Sequence, residues 1–449
     1  MPVTLEDDAR IQWLFLDLNS YFASVEQEVQ PHLRGKPVVV VNADTDSTCC
    51  IAASYEAKSL GICGGTGVAE AKRLCPRVQV ILARHEIYVR YHHLIRSAVE
   101  RCLPISKVVS IDEVECRLMG REQTLENAVR LAHQVKQAIR DHAGSTLRCS
   151  IGLAPNRFLA KTASDMQKPD GLTVILRSQL PQVLFSLELQ ELCGIGPRME
   201  KRLHTHGVHS VEQLCRLSQE QMTGIWGGVL GARFWHRLRG EDFDDPMTHT
   251  SSFGHQHVLA PEHRTPEQAA AIVKALLHKA AFRLRRAGMR ARTLILFALF
   301  LHPQRQAPDA RASRHDLPFW QASAHFPPCQ DTMTLLKAFD RAWHDCPRRK
   351  PLLVGVTLTD LAPADSQILF NDLYEEPRYK DLTTAMDVVN LKYGMGTLYF
   401  GGIHEVRDSL PLRIAFTSIP EIYTPKKERP KDSGSREFRF DPTWRSDGE

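Results

Sequence analysis

Phe15-Leu16-Asp17-Leu18-Asn19-Ser20-Tyr21-Phe22-Ala23-Ser24-Val25-Glu26 is the stretch from which the rest of the chain can be read. Its first part ends an apolar run, Ile11 to Leu18, whose one acid is Asp17. Such a run predicts a buried strand with a carboxylate at its end, and Ser20 through Val29 reads as the helix that follows. Outward from there, Lys36-Pro37 precedes a second buried strand, Val38 to Val41, and Ala53 to Leu60 reads as a short helix stopped by Gly61. Gly64, Gly65 and Gly67 mark a turn region. They lack a trailing Lys-Ser/Thr and do not spell G-x-G-x-x-G, so they suggest no nucleotide cradle. His85 to Cys102 has helical spacing, and Lys107 to Ile111 is a β-branched run ending at Asp112 and Glu113. An amphipathic helix is predicted for Asn127 to His142, and a strand closed by Gly152 for Leu147 to Leu153. The helix predicted for Asn156 to Met166 has Arg157 and Lys161 four apart. This α/β alternation implies a sheet with helices packed on it.

The chain's 449 residues leave room for about three domains. With 43% apolar and 24% charged residues it can bury real cores, which excludes disorder throughout. Its longest apolar runs fall far short of the roughly 18 residues a spanning helix needs, so no membrane role is expected. An N-terminus carrying Glu6, Asp7 and Asp8 does not read as a signal peptide, which points to a cytoplasmic protein. The eleven cysteines show no C-x-x-C spacing, so neither a zinc cage nor a disulfide framework is suggested. The net charge of +5 hides a local excess: Lys274 to Arg314 holds ten Lys or Arg and one acid, Asp309. A basic stretch of this kind is the footprint of a polyanion partner or a solvated helix face.

Beyond Ser178 the texture changes to short helical stretches. Leu192-Cys193-Gly194-Ile195-Gly196-Pro197, followed by a basic helix from Arg198 to His206 and then Gly207-Val208, is a helix-hairpin-helix signature. Gly194 and Gly196 let backbone N–H groups approach a phosphate, while Arg198, Lys201 and Arg202 add charge. Such a hairpin grips duplex backbone without reading sequence. Asp244-Asp245-Pro246 marks a linker. After it come a strand (252–259), a helix (266–286), strands (292–301 and 318–326), a helix (332–344) and a strand (352–361), a split βαβ order of β-α-β-β-α-β. A loop (363–377), a helix (379–392) and, from Thr424, a polar tract that reads as disordered complete the chain.

Asp17 and the Asp112-Glu113 pair are three carboxylates that could meet at one sheet edge. Mg²⁺ favours one or two carboxylates together with substrate phosphates, though acids at strand ends also serve as caps or solvated turn residues. The surrounding residues decide between these. The opening stretch, Ala53-Ser54-Tyr55-Glu56-Ala57-Lys58 with Leu60-Gly61-Ile62, Ser110-Ile111-Asp112-Glu113, Ser150-Ile151-Gly152-Leu153-Ala154 with Asn156, Ala160-Lys161, and Lys168-Pro169-Asp170-Gly171 strongly resemble the Y-family DNA polymerases, the translesion or impB/MucB/SamB group. The resemblance spans about residues 11 to 421.

That resemblance implies an α+β multidomain right hand. The α/β palm would take residues 1–25 and 85–175, and small fingers 26–84. A helix-hairpin-helix thumb (176–244), a β-α-β-β-α-β little finger (250–361), an extension (362–423) and a tail (424–449) would follow. It implies two Mg²⁺ ions, arriving with the incoming dNTP, on Asp17, Asp112 and Glu113 with the Leu18 carbonyl, and catalytic roles for Asp112 and Glu113. Phe22 would be the steric gate against a ribose 2′-OH. Tyr21, Phe22, Tyr55, Lys58 and Lys168 would hold the triphosphate. Gly194, Gly196, Arg198 and Lys201, with Arg285, Arg286, Arg290 and Arg292 of the basic stretch, would hold primer-template DNA. Gln367-Ile368-Leu369-Phe370 resembles a sliding-clamp peptide, with Gln367, Leu369 and Phe370 as its anchors, and accessory mutasome proteins are further implied partners. Residues 392–398 and 415–421 resemble the extension of bacterial members nearer to the polymerase V and IV catalytic subunits.

The chain departs from the family pattern at Lys58 (usually Arg), Ala52 (usually Thr), Asn19 (often Asp) and Arg117 (often an acid). Lys58 replaces a bidentate fork by a point charge. The implied activity is translesion DNA synthesis within SOS mutagenesis. The alternatives are an inactive polymerase-shaped adaptor and a hairpin-bearing repair nuclease or glycosylase.

Overall fold

The computed structural model describes residues 10–46, 48–243, 250–300, 317–365, 379–394 and 396–409. Its N-terminal part contains strands β1 (Trp13–Leu18), β2 (Val38–Val41), β3 (Cys50–Ala53), β4 (Gln79–Leu82), β5 (Lys107–Val108), β6 (Glu113–Arg117), β7 (Cys149–Ala154) and β8 (Leu172–Val174). Five of these form one sheet in the order β5-β6-β1-β7-β8, and three form a smaller sheet in the order β3-β2-β4. Strand β1 at the centre of the larger sheet and its neighbour β7 are buried along their whole length. Helices His85–Glu100 and Leu125–Ala143 send Tyr88, Ile95, Leu131, Val135 and Ile139 into the core beneath them. Helix Arg157–Met166 packs on the sheet's other side, where Phe158, Leu159 and Ala163 meet Phe15 and Trp13.

Three sequence expectations change here. Of Ala53 to Leu60, expected as one short helix, only Tyr55–Lys58 is helical, and Ala53 ends a strand, β3, that begins at Cys50. Ile51 and Ala52 carry too short a pattern to announce a strand, and pairing with Val39 to Val41 supplies the signal. Gly152 does not close its strand but sits in the middle of β7. A Cβ there would lie 1.9 Å from the Ala160 carbonyl oxygen, so the glycine permits close packing of helix Arg157–Met166 on the sheet. Asp112 and Glu113 do not end a strand. The chain turns after Val108, and Glu113 opens β6. Because β6 runs antiparallel to β1, its first residue lies opposite Asp17 near the end of β1.

Residues 189–237 form short helices around a core of Leu203, Val211, Leu214, Met222 and Phe234. This unit is tied to the larger sheet by hydrogen bonds from Asn156 Nδ2 to the Arg237 and Glu241 carbonyls (2.8 and 3.0 Å) and from Trp13 Nε1 to Asp242 (2.9 Å). The C-terminal unit contains β9 (Phe253–Val258), helix Pro266–Arg286, β10 (Met289–Phe300), β11 (Phe319–Cys329), helix Thr332–Trp343 and β12 (Pro351–Thr359), the expected β-α-β-β-α-β order. Its antiparallel sheet runs β11-β10-β12-β9, and β13 (Ala362–Pro363) pairs with β10. Helix Lys380–Tyr393 follows. Asp244 to Pro246, expected to be a linker, Gln367 to Phe370, and everything from residue 410 onward lie outside the described residues. No described helix is long and apolar enough to cross a membrane.

Candidate active site

The register of the larger sheet brings the acids together. Asp17 on β1 faces Glu113 on β6 and Ser150 on β7, and the Leu18 N–H donates to the Asp112 carbonyl (2.9 Å). Lys161, from the helix packed on this sheet, places its ammonium 2.8 Å from Asp17 Oδ2 and 2.6 Å from Glu113 Oε1. Lys168 Nζ takes the other Asp17 oxygen at 2.9 Å and Asp165 at 2.7 Å. Asp112 accepts from Ser110 Oγ at 2.5 Å.

Burial pushes the Asp112 and Glu113 carboxyls above their ordinary values, and the negative charge of Asp17 adds to both. Lys161 opposes these shifts, and the surrounding acids outweigh its own burial to raise its pKa. Asp17, Asp112 and Glu113 thus lie close enough to act on one another's charge, and the Lys161 and Lys168 ammonium groups offset part of it.

Asp17, Leu18, Tyr21, Phe22, Lys58, Asp112 and Lys168 line one cleft of about 270 Å³, together with Ala52. Tyr21 is fixed by its hydroxyl, which donates to the Tyr88 carbonyl (2.6 Å), and burial with the Asp112 charge raises its pKa. Phe22 stacks on Tyr88 with ring centroids 4.4 Å apart and planes at 17°. Behind that ring, Glu26, with no exposed surface, accepts from the Tyr88 hydroxyl (2.7 Å) and pairs with Arg84. Phe22 therefore presents its ring from a braced wall. Lys58 lies over the Tyr55 ring at 4.5 Å, and burial followed by the Lys168 charge lowers its pKa. Burial raises that of Tyr55.

Two residues that depart from the family pattern have structural work. Asn19 Nδ2 donates to Ser150 Oγ (3.1 Å), and its Oδ1 accepts from the Asp170 N–H (2.7 Å), which ties the end of β1 to the loop bearing Lys168. Lys136 and Arg140 hold the Asp170 carboxylate from the other side, each at 2.7 Å. Arg117 lies over Trp13 and 3.9 Å from Asp242.

Sequence pattern does not mark Lys161 as a site residue, although it stands in the Ala160-Lys161 motif. Only the packing of its helix on β7 shows that it reaches the acids. Nor does sequence pattern mark Ser20. Its hydroxyl is buried at the cleft beside Tyr55, and its backbone is left-handed (φ 49) in the two-residue turn from strand to helix.

The remaining predicted residues lie elsewhere. Gly194 has φ +91 in the hairpin, Gly196 caps helix Pro197–Thr205, and Arg198, Lys201 and Arg202 are exposed on it. Arg285 is not a free surface cation. It makes a two-pronged pair with Asp387 (2.6 and 2.8 Å) and donates to the Gln330 carbonyl (2.8 Å), so its charge joins helix Pro266–Arg286 to helix Lys380–Tyr393. Arg286 is exposed, and Arg290 and Arg292 are partly so.

Among the described residues, no three Asp, Glu, His or Cys side chains already converge as a finished metal cage. The donor set nonetheless fits a hard divalent cation. One ammonium nitrogen touches both Asp17 and Glu113, so the two carboxylates share one positive charge.

The arrangement is that of the Y-family DNA polymerase fold. A chimeric Y-family DNA polymerase built on Dbh superposes with a TM-score of 0.65 at 23% identity, covering 78% of this chain and 99% of its own. An insertion ternary complex of Dbh DNA polymerase gives a TM-score of 0.51 at 23% identity, covering 77% and 98%. The chain belongs to the impB/mucB/samB family. The family model matches residues 16–165, and the model of the family's C-terminal domain matches 250–369. DNA polymerase IV of Moorella thermoacetica is 33% identical over 85% of this chain and 93% of its own length. DNA polymerase IV 1 of Bacillus subtilis is 27% identical over 84% and 90%. Membership and fold together make this a bacterial Y-family translesion polymerase.

Proposed function

We propose that the cleft at the β1–β6 edge is where this DNA-directed DNA polymerase joins an incoming deoxynucleotide to a primer 3′-OH during synthesis past damaged template bases. The observation that carries this reading is the pairing of Asp17 with Glu113 across two antiparallel strands, with Asp112 one residue away and Lys58 and Lys168 facing the same cleft. Asp17, Asp112, Glu113 and the Leu18 carbonyl would hold two Mg²⁺ ions. When bound, these supply charge for the attacking and leaving oxygens of the phosphoryl group.

The chain's own groups do the positioning, which in phosphoryl transfer is most of catalysis. Lys168, Lys58 and Tyr55 receive the triphosphate. Ser20 offers a hydroxyl on the side where Ala52 cannot. Tyr21 and Phe22 form the floor under the sugar. The hairpin glycines with Arg198 and Lys201 hold duplex phosphates, and Arg286, Arg290 and Arg292 extend that contact. In this reading, residues 1–25 and 85–175 act as palm, 26–84 as fingers, 176–244 as thumb and 250–361 as little finger. Gln367 to Phe370 docks a sliding clamp, accessory mutasome proteins assist, and the enzyme works on nucleoid DNA in the cytoplasm.

Primer extension with Mg²⁺ tests the assignment. Asp112→Ala or Glu113→Ala should abolish incorporation and leave primer-template affinity nearly unchanged, because the acids and the DNA grip sit on different elements. Substantial extension by both variants would remove the acids from catalysis.

A further inference from the structure

Both oxygens of Asp17 are occupied by ammonium groups. Lys161 holds Oδ2 at 2.8 Å and Lys168 holds Oδ1 at 2.9 Å. Lys161 also covers Glu113 at 2.6 Å. Asp165, on the same helix as Lys161, braces both lysines, at 3.3 Å from Lys161 and 2.7 Å from Lys168. A divalent cation bound through Asp17 sits about 2 Å from a carboxylate oxygen. It would share that oxygen with an ammonium already in contact, and at such separations like charges repel strongly in a partly buried cleft.

The two lysines differ in freedom. Lys168 is 30% exposed and sits on the loop after the helix, where it can follow an arriving anion. Lys161 is 18% exposed, lies over the Phe15 ring at 5.1 Å and is braced by Asp165 four residues along its helix.

We propose that Lys161 and Lys168 form an internal charge lock on Asp17 and Glu113, which keeps divalent cations weakly bound until the triphosphate of an incoming nucleotide draws Lys168 away. Resting on the assignment of these acids as the metal site, the lock makes cation and nucleotide affinities rise together. Such coupling is reciprocal: whatever factor the nucleotide adds to cation binding, the cation adds to nucleotide binding. Lys161 acts as a positioning residue. Its ammonium bridges Asp17 and Glu113 and sets how far cation affinity is held down.

The test is calorimetric titration of the full chain with Ca²⁺, alone and in the presence of dATP, with the heat of Ca²⁺ binding to free dATP subtracted. The wild type should bind Ca²⁺ weakly alone and at least about tenfold more tightly with dATP, the scale expected when one close like charge leaves a partly buried site. Lys168→Met and Lys161→Met should each tighten Ca²⁺ binding in the absence of nucleotide by about tenfold or more. Lys161→Arg retains the charge and should bind like the wild type, a distinction that a merely structural role for Lys161 would not produce. Far-ultraviolet dichroism checks that each variant is folded, and Lys168→Met, at the more exposed position, carries the test if Lys161→Met does not fold. Equal Ca²⁺ affinity of the wild type and Lys168→Met without nucleotide overturns the lock while leaving the metal site standing, provided that Ca²⁺ binds with dATP. No Ca²⁺ uptake by the wild type even with dATP overturns the metal site and the lock together.

Discussion

Replacing Phe22 by Ala separates the gate proposed for it from its place in the core, because the two jobs have different readouts. The ring is 7% exposed, stacks on Tyr88 at 4.4 Å and meets His85 edge-on at 6.3 Å. Truncating a buried Phe to Ala costs about 3–5 kcal/mol. At roughly 2–4 °C per kcal/mol for a unit of this size, the melting temperature should fall by about 6–20 °C. Tyr88 will not collapse into the gap, because its hydroxyl is held by Glu26, which is itself paired with Arg84.

The space therefore opens on the cleft side, where a ribose 2′-OH would otherwise strike the ring. Forcing extra atoms into a packed site costs about 1–3 kcal/mol. At about 1.4 kcal/mol per tenfold in rate, relief of that collision should raise the ratio of ribo- to deoxynucleotide incorporation by roughly 5- to 150-fold. Single-nucleotide incorporation with ATP and dATP, run well below the variant's melting temperature, measures the ratio. Phe22→Leu should recover much of the stability with an intermediate ratio. A lower melting temperature with an unchanged ratio would show that Phe22 is packing only and that the sugar is read elsewhere.

DNA affinity should fall steeply with salt, each phosphate contact adding about 0.9 to the log-log slope. Arg198→Ala with Lys201→Ala should flatten that slope with little sequence preference, whereas Arg285→Ala should lower stability and leave the slope nearly unchanged, since Asp387 already uses its charge. An unaltered slope in the hairpin variant would return that helix to a solvated face. Gly152→Ala should prevent normal packing of helix Arg157–Met166, because a Cβ would lie 1.9 Å from the Ala160 carbonyl oxygen, and a melting curve like that of the wild type would contradict this. Stability should also depend on acidity through His255 and His278, both held down to about 4, chiefly by burial and next by Arg283 and Arg285 respectively. Their folded values lie below the unfolded value of about 6.5, so the unfolded chain binds more protons in that window. Their contribution is complete above about pH 6.5 and is lost as pH falls toward 4; His255→Asn with His278→Asn should flatten that part of the melting-temperature profile.

Much of this protein was legible before any tertiary contact was considered. The β1 strand and its helix could be read because burial on both faces demands an unbroken apolar run, and Asp17 stood out by interrupting one. The C-terminal order of strands and helices could be read because its helices are amphipathic and capped, Thr265 and Asp331 accepting from the N–H groups of Gln268 and Thr334. Residue types supplied the acids, the basic hairpin and the Phe22 ring. What the linear pattern could not contain was anything set by pairing across the chain. Strand β3 exists because Val39 to Val41 is there to receive it. Asp17 meets Glu113 only because β6 runs antiparallel to β1, and Lys161 reaches both only because Gly152 lets its helix approach the sheet. Arg285 shows the limit from the other side. In the sequence it is one cation in a basic stretch, and only folding brings Asp387, 102 residues away, close enough to claim it. A side chain's chemistry is local to its residue, but whether its charge faces solvent, substrate or a partner is fixed by contacts that the sequence holds far apart.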